Sequence, residues 1–310
     1  MSTQVHVATV QPRRASVVHA VDGTEGGRRR NIFVEILADI ASRRELLFQL
    51  TRRDVTIRYK QAAMGLLWAV LIPTIVVFAG VIVRLGISVA SGQPLPREEI
   101  GGIMVKALPW SFFVGSISFS ANSLLGNMNL VTKVAFPREI LPLASVFAQL
   151  VDFAVAGSIV AVGLCFLGGT LSAQLLWVPV LLTLLVMFTI GVCLFLACAN
   201  LFFRDVKYLV QVFTTFGIFF TPVFFDVATF GRKGQFLMLN PLAPILEGLR
   251  LAVVHAHNLA TPLTVRLHTG VTSVAWEPWQ LAYSAVWAVG GLLLSAVIFR
   301  RASDSFAEYI

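Results

Sequence analysis

Residues 175–203, LLWVPVLLTLLVMFTIGVCLFLACANLFF, run for 29 positions without a charged side chain. A helix needs about 20 predominantly apolar residues to cross the hydrocarbon core of a bilayer. The chain of 310 residues is 57% apolar and 13% charged, whereas soluble domains are roughly half apolar and about a quarter charged. The sequence therefore predicts an all-α membrane protein with six transmembrane helices. The other five predicted spans are 62–83, 103–125, 141–167, 208–225 and 281–299.

A seventh apolar stretch, residues 236–254, is interrupted by polar and helix-breaking residues. Asn240 and Pro241 divide it, and Glu247 and Arg250 place two charges in its second half. Each half is too short to span the bilayer, and irregular backbone at membrane depth needs protein or water around it. We therefore expect two re-entrant half-helices before the last span.

The first 60 residues differ from the rest of the chain. Residues 1–30 are polar and irregular, and they are predicted to form a disordered cytosolic tail outside a single transmembrane domain of residues 31–310. Between residues 32 and 60, apolar side chains recur at helical spacing and basic side chains occupy the other faces. This pattern is typical of an amphipathic helix that lies in the membrane interface.

Lysine and arginine residues predict the orientation, because cytosolic loops carry an excess of them. With the N-terminus inside, 17 of the 24 basic residues fall in cytosolic segments. Both termini are then cytosolic. The net charge of +8 lies mostly beside the spans, which favours an anionic membrane surface and not nucleic acid as the partner of these charges.

Motifs for catalysis are weak. None of the five lysines follows a glycine, so the phosphate-binding loop G-x-x-x-x-G-K-[ST] is absent from this sequence. His255, His257 and His268 are the best candidates for a metal or enzyme site. However, His255 and His257 are two residues apart and would point to different sides of a helix. We expect neither a metal site nor an enzymatic activity in this chain.

Three features have two interpretations each. Asp152 lies deep within an apolar run, where an unpaired carboxylate is costly, so it either contacts a conduit or hydrogen-bonds to a neighbouring span. Loops 127–141 and 200–208 are short and charged, and they are either docking elements or plain helical hairpins. The second span carries hydroxyl, amide and aromatic side chains, which either line a path or allow close helix packing.

Several motifs together resemble one family. Residues 50–73 read LTRRDVTIRYKQAAMGLLWAVLIP, residues 133–142 read KVAFPREILP, and residues 202–205 read FFRD. In this order, and followed by the Asn240-Pro241 pair, they resemble the permease subunits of type-2 ABC transporters that export polysaccharides. The resemblance covers roughly residues 32–310.

This resemblance implies a homodimer of six-span subunits in the bacterial inner membrane, associated with two copies of a separate ABC ATPase subunit. ATP and Mg²⁺ would be bound by that partner, and this chain would carry no cofactor. The implied activity is the export of a lipid-linked glycan from the cytosolic to the outer face of the membrane. An O-antigen-like polymer is the favoured cargo.

The resemblance also implies roles for particular residues. Those expected to couple to the ATPase are Lys133, Phe136, Pro137, Arg138, Glu139, Arg204 and Asp205. Those at the cytosolic mouth, where basic groups would attract an anionic pyrophosphate headgroup, are Arg52, Arg53, Arg58, Tyr59 and Lys60. The outer gate is expected at Asn240, Pro241, Glu247 and Arg250. From their side-chain chemistry, the candidates for the conduit wall are Trp110, Phe119, Asn122 and Asp152.

Alternative functions follow from the same observations. A type-2 ABC exporter of a drug or small lipid would have a conduit poor in glycan contacts. Teichoic acid or a capsular polymer could replace O-antigen as the cargo. A membrane-embedded glycosyltransferase or acyltransferase would need His255, His257 or Asp152 for turnover.

Overall fold

The computed structural model describes residues 38, 41–60, 65, 67–92, 94–133, 136–166, 172–266, 272–303 and 306. The predicted tail of residues 1–30 lies outside the described residues, as do residues 61–64 at the predicted start of the first span. The described residues confirm an all-α membrane protein, to which one antiparallel pair of short strands is added.

The elements of the described chain follow one another as helices with a single interruption by strands. The α-helices are α1 Arg44–Lys60, α2 Leu67–Ser91, α3 Arg97–Ala121, α4 Met128–Lys133, α5 Ile140–Phe166, α6 Trp177–Phe202, α7 Val206–Phe216, α8 Leu242–Val253 and α9 Pro278–Ser303. Short 3₁₀ helices cover Leu125–Asn127, Ala173–Leu176, Gly217–Phe220 and Val227–Leu239. Strands β1 Leu263–Arg266 and β2 Thr272–Trp276 pair with each other.

Helix α3 is at the centre of the bundle. It packs against α2, α5, α6, α7 and α8, and most of its length is buried. Helix α2 and the C-terminal half of α5 instead bury few of their residues. Since large exposed apolar faces are unfavourable in water, these faces indicate contact with lipid or with another subunit.

Helices α6 and α9 form the most extensive helix pair of the described chain. Gly191 of α6 lies so close to α9 that a Cβ atom there would come within 2.9 Å of the Leu292 backbone nitrogen. Small residues allow membrane helices to approach backbone to backbone. This contact fixes the last span against the fourth.

Five single helical segments of the described chain are long and apolar enough to cross a bilayer: α2, α3, α5, α9, and α6 with its preceding 3₁₀ turn. The segment predicted as the fifth span, residues 208–225, is shorter than predicted. Helix α7 ends at Phe216, a 3₁₀ turn follows to Phe220, and Thr221 is extended. Pro222 explains this end, because proline disfavours helical backbone in the residue before it.

The expected break at Asn240 and Pro241 is present. The helical segment Lys233–Leu239 and helix α8 meet there at an angle of 111°. The Asn240 side chain accepts a hydrogen bond from the backbone nitrogen of Leu242 at 3.1 Å. By length and composition the bent pair would serve as one broken span or as a re-entrant loop, so its depth in the membrane stays a prediction.

Apolar side chains of α1, of residues 122–139 and of the C-terminal ends of α6 and α9 pack in one cluster, which defines one end of the bundle. We call it the α1 end; it carries α1, residues 122–139, the turn between α6 and α7, and the C-terminal end of α9. Arg138 reaches the carbonyl of Ser303 there. The bent pair of Lys233–Leu239 and α8 is called the broken segment below. We call the other end the hairpin end, because it carries the paired strands together with the broken segment.

Candidate functional site

A cavity of about 390 Å³ lies at the α1 end, between α1, α2, α3, α5 and α7. Its charged side chains come from α1 and α5, α3 and α7 add hydroxyl groups, and its apolar wall is rich in aromatic rings. A mostly apolar cavity with a few convergent polar groups is the usual form of a ligand site. The principal residues of its wall are Arg58, Tyr59, Gln149, Asp152, Trp68, Trp110, Ser111, Phe112, Ser118, Phe119 and Phe153.

An ion pair joins α1 to α5 in the wall of this cavity. The Arg58 guanidinium donates hydrogen bonds to the Asp152 carboxylate and to the side-chain oxygen of Gln149. The Tyr59 hydroxyl donates to the other Asp152 oxygen at 2.6 Å. The side chains of Arg58 and Asp152 are 20% and 13% exposed. The pairing explains how an apolar helix accommodates a carboxylate, since a buried charge must be paired or hydrogen-bonded.

The neighbours of the ion pair hold it in place. Burial and the hydrogen bond to Asp152 raise the pKa of Tyr59 to about 12, so its phenol remains a hydrogen-bond donor at neutral pH. The Cζ atom of Arg58 lies 4.1 Å from the centroid of the Phe119 ring, which is within the range of a cation–π interaction. The guanidinium therefore lies between an acidic group and an aromatic face.

The position of Gln149 depends on a glycine in the neighbouring span. A Cβ atom at Gly115 of α3 would lie 1.7 Å from Gln149 Nε2, so a larger residue would displace this amide. Gln149 was not among the site residues predicted from the sequence. Its spacing could have identified it as a neighbour of Asp152, because residues three apart lie on the same face of a helix.

The cavity brings together residues that the sequence assigned to two different sites. Arg58 and Tyr59 were expected at the cytosolic mouth, and Trp110, Phe119 and Asp152 were expected in the conduit wall. All five line this one cavity. Mouth and conduit candidates are therefore adjacent in the fold.

The remaining candidates for these two sites lie elsewhere. Asn122 is exposed at the end of α3 and does not line the cavity. Arg52 and Lys60 are exposed on α1. Arg53 pairs with its neighbour Asp54 at 2.9 Å. None of these three basic residues lines the cavity. Arg58 is the cation in its wall among the described residues.

A cluster of four charged side chains, Lys106, Asp226, Glu247 and Arg250, is buried at the hairpin end; we call it the charge cluster. Lys106 Nζ lies 3.0 Å from Asp226 Oδ1 and 3.6 Å from Glu247 Oε2. Arg250 Nε lies 3.1 Å from Glu247 Oε1 and 3.3 Å from Asp226 Oδ1. Lys106 is 1% exposed and Glu247 is fully buried. Two cations thus face two acids, and they link the central helix α3 to the broken segment.

Electrostatics keep Asp226 ionised. Burial alone would raise the pKa of Asp226, but Lys106 and Arg250 lower it to about 2. His255 lies 2.7 Å from Arg250 through its Nε2 atom. Burial and the positive charge of Arg250 lower the pKa of His255, so the imidazole is neutral at pH 7 and accepts a hydrogen bond from the guanidinium.

The four residues expected at the outer gate occupy this region. Glu247 and Arg250 belong to the charge cluster, and Asn240 and Pro241 form the break in front of α8. Ser284 of α9 donates a hydrogen bond to the Pro241 carbonyl at 2.9 Å, so the break is also held by the last span. Two members of the cluster, Lys106 and Asp226, were not among the site residues predicted from the sequence. Lys106 could have been noticed as a charge inside a predicted span, which is a functional signal in membrane proteins.

The residues expected to couple to the ATPase divide into two groups. Arg204 and Asp205 are exposed in the turn between α6 and α7. Arg138, in contrast, donates to the carbonyl of Ser303 and lies over the ring of Phe306, with Cζ 5.5 Å from its centroid. Glu139 is buried. Arg138 is thus engaged within the subunit.

The rest of that first loop contributes apolar contacts. Phe136 and Pro137 are half-buried, and Phe136 packs against the apolar core at the α1 end. Lys133 ends α4, and its side chain lies outside the described residues. The turn between α6 and α7 is the more exposed of the two loops, and it includes Phe203 with 71% of its surface exposed.

The histidines considered as metal ligands do not converge in the described chain. His257 lies 3.0 Å from the Thr261 carbonyl through Nε2, and His268 lies outside the described residues. Among the residues that the structure describes, no group of three histidine, cysteine or acidic side chains is arranged to hold a metal ion.

A bundle of membrane-length helices, with a ligand-sized cavity near one end and a buried charge cluster at the other, is typical of a membrane transport subunit. Residues 45–254, about two thirds of the chain, match the family of ABC-2 type transporters. The chain belongs to this family and is homologous to its permease subunits. Membership implies a membrane setting and an ABC ATPase as partner.

Individual relatives point in the same direction. The chain is 27% identical over 283 residues to the O-antigen export system permease protein RfbA of Myxococcus xanthus, which covers 89% of this chain and all of the relative. It is 28% identical over 204 residues to a protein of the same name from Klebsiella pneumoniae, which covers 65% of this chain and 77% of the relative. A second Klebsiella pneumoniae protein of this name is 27% identical over 204 residues.

Proposed function

We propose that this chain is the channel-forming subunit of an ATP-driven exporter of a lipid-linked, O-antigen-like polysaccharide. It would move its cargo from the cytosolic to the outer face of the bacterial inner membrane. The observation that carries the proposal is the cavity at the α1 end, in which a paired arginine adjoins an aromatic wall. The names of the three relatives favour O-antigen as the cargo.

The headgroup of the lipid carrier would be recognised by Arg58. A pyrophosphate is anionic, and guanidinium–phosphate hydrogen bonds are charge-assisted and often bidentate. The phosphate would compete with Asp152 for the guanidinium. Asp152 would keep the hydrogen bond from Tyr59, so the exchange would not leave the carboxylate without a partner. The ion pair would thus close the empty cavity and open in the presence of an anionic headgroup.

The glycan chain would follow the aromatic wall. Sugar rings have apolar faces that pack on aromatic rings and hydroxyls that exchange hydrogen bonds. Trp110 and Phe119 supply such rings, and the Ser111 hydroxyl is a buried group that has no hydrogen-bond partner within the described chain. Each contact of this kind is weak, and successive sugar units of the polymer could form it in turn as the chain moves.

The subunit would act as a homodimer with two copies of the ATPase. Helix α2 exposes a row of large apolar residues next to the cavity, including Trp68 and Ile72, and a second subunit could cover them. The exposed turn with Arg204 and Asp205 would dock on the ATPase. ATP and Mg²⁺ would be bound by that partner, so this chain would carry no cofactor and would not be an enzyme. The α1 end and both termini would be cytosolic.

Deletion of the gene in its host tests the proposal. We expect loss of the surface glycan together with accumulation of the lipid-linked glycan inside. If both pools were unchanged, the polysaccharide assignment would be wrong, and an ABC-2 permease for a drug or small lipid would be the surviving hypothesis. The chemical identity of the retained glycan would distinguish O-antigen from teichoic acid or a capsular polymer.

Complementation of the deletion strain tests the role of the cavity. Arg58→Gln removes a charge-assisted interaction worth about 1.5–3 kcal/mol, so export should fall roughly tenfold to a hundredfold. Arg52→Gln is the matched control. It removes the same charge from the same helix, but Arg52 is exposed and does not line the cavity. Equal export by the two variants would contradict the assignment of Arg58.

A further inference from the structure

A second cavity, which we call the groove, lies between α1 and α5 on another face of α5. Its volume is about 580 Å³. It shares no residue with the cavity at the α1 end, so it is a separate site. The residues that line it are Arg44, Leu47, Phe48, Thr51, Phe147, Leu150, Val151, Ala154 and Val155.

The floor of the groove is suited to hydrocarbon. Seven of its nine lining residues are apolar. The hydroxyl of Thr51 donates to the carbonyl of Leu47 at 2.8 Å within the same helix, so it is not directed at a ligand. Phe48 and Val151 are 63% and 41% exposed. An exposed apolar surface of this kind is favourable when hydrocarbon or another apolar surface covers it.

The rim of the groove is positively charged. Arg44 is exposed at the start of α1, and no ion pair to it occurs among the described residues. The adjacent acid, Glu45, accepts a hydrogen bond from Gln49 at 3.0 Å instead. The groove therefore combines an apolar floor with one cation at its edge that has no ion pair among the described residues.

The dimensions fit a single acyl chain of one leaflet. From Phe147 to Val155 the groove follows eight steps of an α-helix, or about 12 Å at about 1.5 Å per residue. One leaflet contributes about half of the roughly 30 Å hydrocarbon core. A chain that lies along α5 would place the headgroup near the interfacial helix α1, where Arg44 can reach a phosphate.

We propose that the groove binds an anionic phospholipid of the membrane, with an acyl chain on the apolar floor and the phosphate at Arg44. Positive charge at the rim favours an anionic over a zwitterionic lipid. The bound lipid fills the gap between α1 and α5. It thereby braces the same two helices that the pair of Arg58 and Asp152 joins on the other side.

Photochemical labelling tests this site. The full chain is placed in nanodiscs of phosphatidylcholine that contain a small fraction of phosphatidylglycerol with a photoreactive acyl chain, and labelled peptides are identified by mass spectrometry. We expect labelling within residues 147–155. Arg44→Gln should lower it roughly tenfold, as expected for the loss of a charge-assisted hydrogen bond to the phosphate, and Arg44→Lys should restore most of it.

Two further variants keep the result specific. Arg43→Gln removes the same charge one residue away, at an exposed position that does not line the groove, and it should leave labelling unchanged. Ala154→Phe should fill the groove and abolish labelling of residues 147–155. The proposal is overturned by equal labelling with a photoreactive phosphatidylcholine, by equal losses in the two arginine variants, or by displacement of the probe by polyprenyl pyrophosphate but not by unlabelled phosphatidylglycerol.

Discussion

Replacement of Glu247 by glutamine should strongly destabilise the hairpin end of the bundle. The carboxylate is fully buried, and its two oxygens face Arg250 and Lys106. The substitution leaves two buried cations opposite one acid, Asp226. Removing one partner of a buried ion pair costs about 3–5 kcal/mol, because the remaining charge has lost its counterion and is still shielded from water.

This cost corresponds to a rise in the unfolding equilibrium constant by roughly two to three and a half powers of ten, at about 1.4 kcal/mol per factor of ten. Denaturant unfolding of the purified protein in micelles measures it. Glu98→Gln is the matched control, because Glu98 has a side chain that is 71% exposed and lies 3.8 Å from His255. Because His255 is neutral at pH 7 and Glu98 is exposed, Glu98 has no buried counterion to lose, so this variant should remain close to wild type.

A double variant separates charge balance from packing. Lys106→Met added to Glu247→Gln leaves Arg250 opposite Asp226, so one cation again faces one acid. The free energy of unfolding should then recover in part, and the two single losses should not add. Similar losses for Glu247→Gln and Glu98→Gln, or strictly additive losses in the double variant, would refute the reasoning.

Three other outcomes follow from the structure. Gly191→Ala should lower the free energy of unfolding by about 1–3 kcal/mol through overpacking against α9. Gly290→Ala is the control, because a Cβ atom there meets nothing within 4 Å, and it should be neutral or slightly stabilising. Equal effects of the two variants would contradict the close helix contact. Arg204→Ala combined with Asp205→Ala should reduce copurification of the ATPase at unchanged thermal stability, and a fully retained complex would count against docking at this turn. The pKa of Asp226 is lowered from 3.8 to about 2, so the contribution of its carboxylate to stability should be complete above about pH 4 and be lost as the pH falls towards 2. A pH series of unfolding free energies measures this loss. The prediction would be disproved if Asp226→Asn lost as much stability as wild type over the same pH range.

Hydrophobic patterning predicts most of the helices but not where they end. The first span was predicted to end at residue 83, before a charged residue, whereas α2 continues to Ser91. Arg84 is tolerated within the helix because it pairs with Glu99, with 2.9 Å between Nε and Oε2. A hydropathy average does not take account of ion pairs formed in the tertiary structure. It therefore ends the predicted span at Arg84, although the pairing with Glu99 allows the helix to continue.

The composition of the candidate site was predictable, but its pairing was not. The costly carboxylate of Asp152 indicated that a partner must exist, yet that partner, Arg58, is 94 positions earlier in the chain. Lys106 and Asp226 are 120 positions apart. Such pairs depend on the packing of α1 and α3 against their neighbours, and local sequence does not specify it. For the same reason, the hydrogen bond from Arg138 to the end of α9 could not be predicted from local sequence.

Direct measurement of transport tests the proposed function most sharply. The chain is purified with its ATPase and reconstituted into proteoliposomes that hold lipid-linked glycan only in the leaflet on the ATP side. A membrane-impermeant lectin then reports the glycan that reaches the opposite leaflet. We predict ATP-dependent appearance of the glycan, which Arg58→Gln slows and Arg52→Gln does not. ATP hydrolysis without any transfer of glycan, or transfer at the same rate without ATP, would contradict the proposed function.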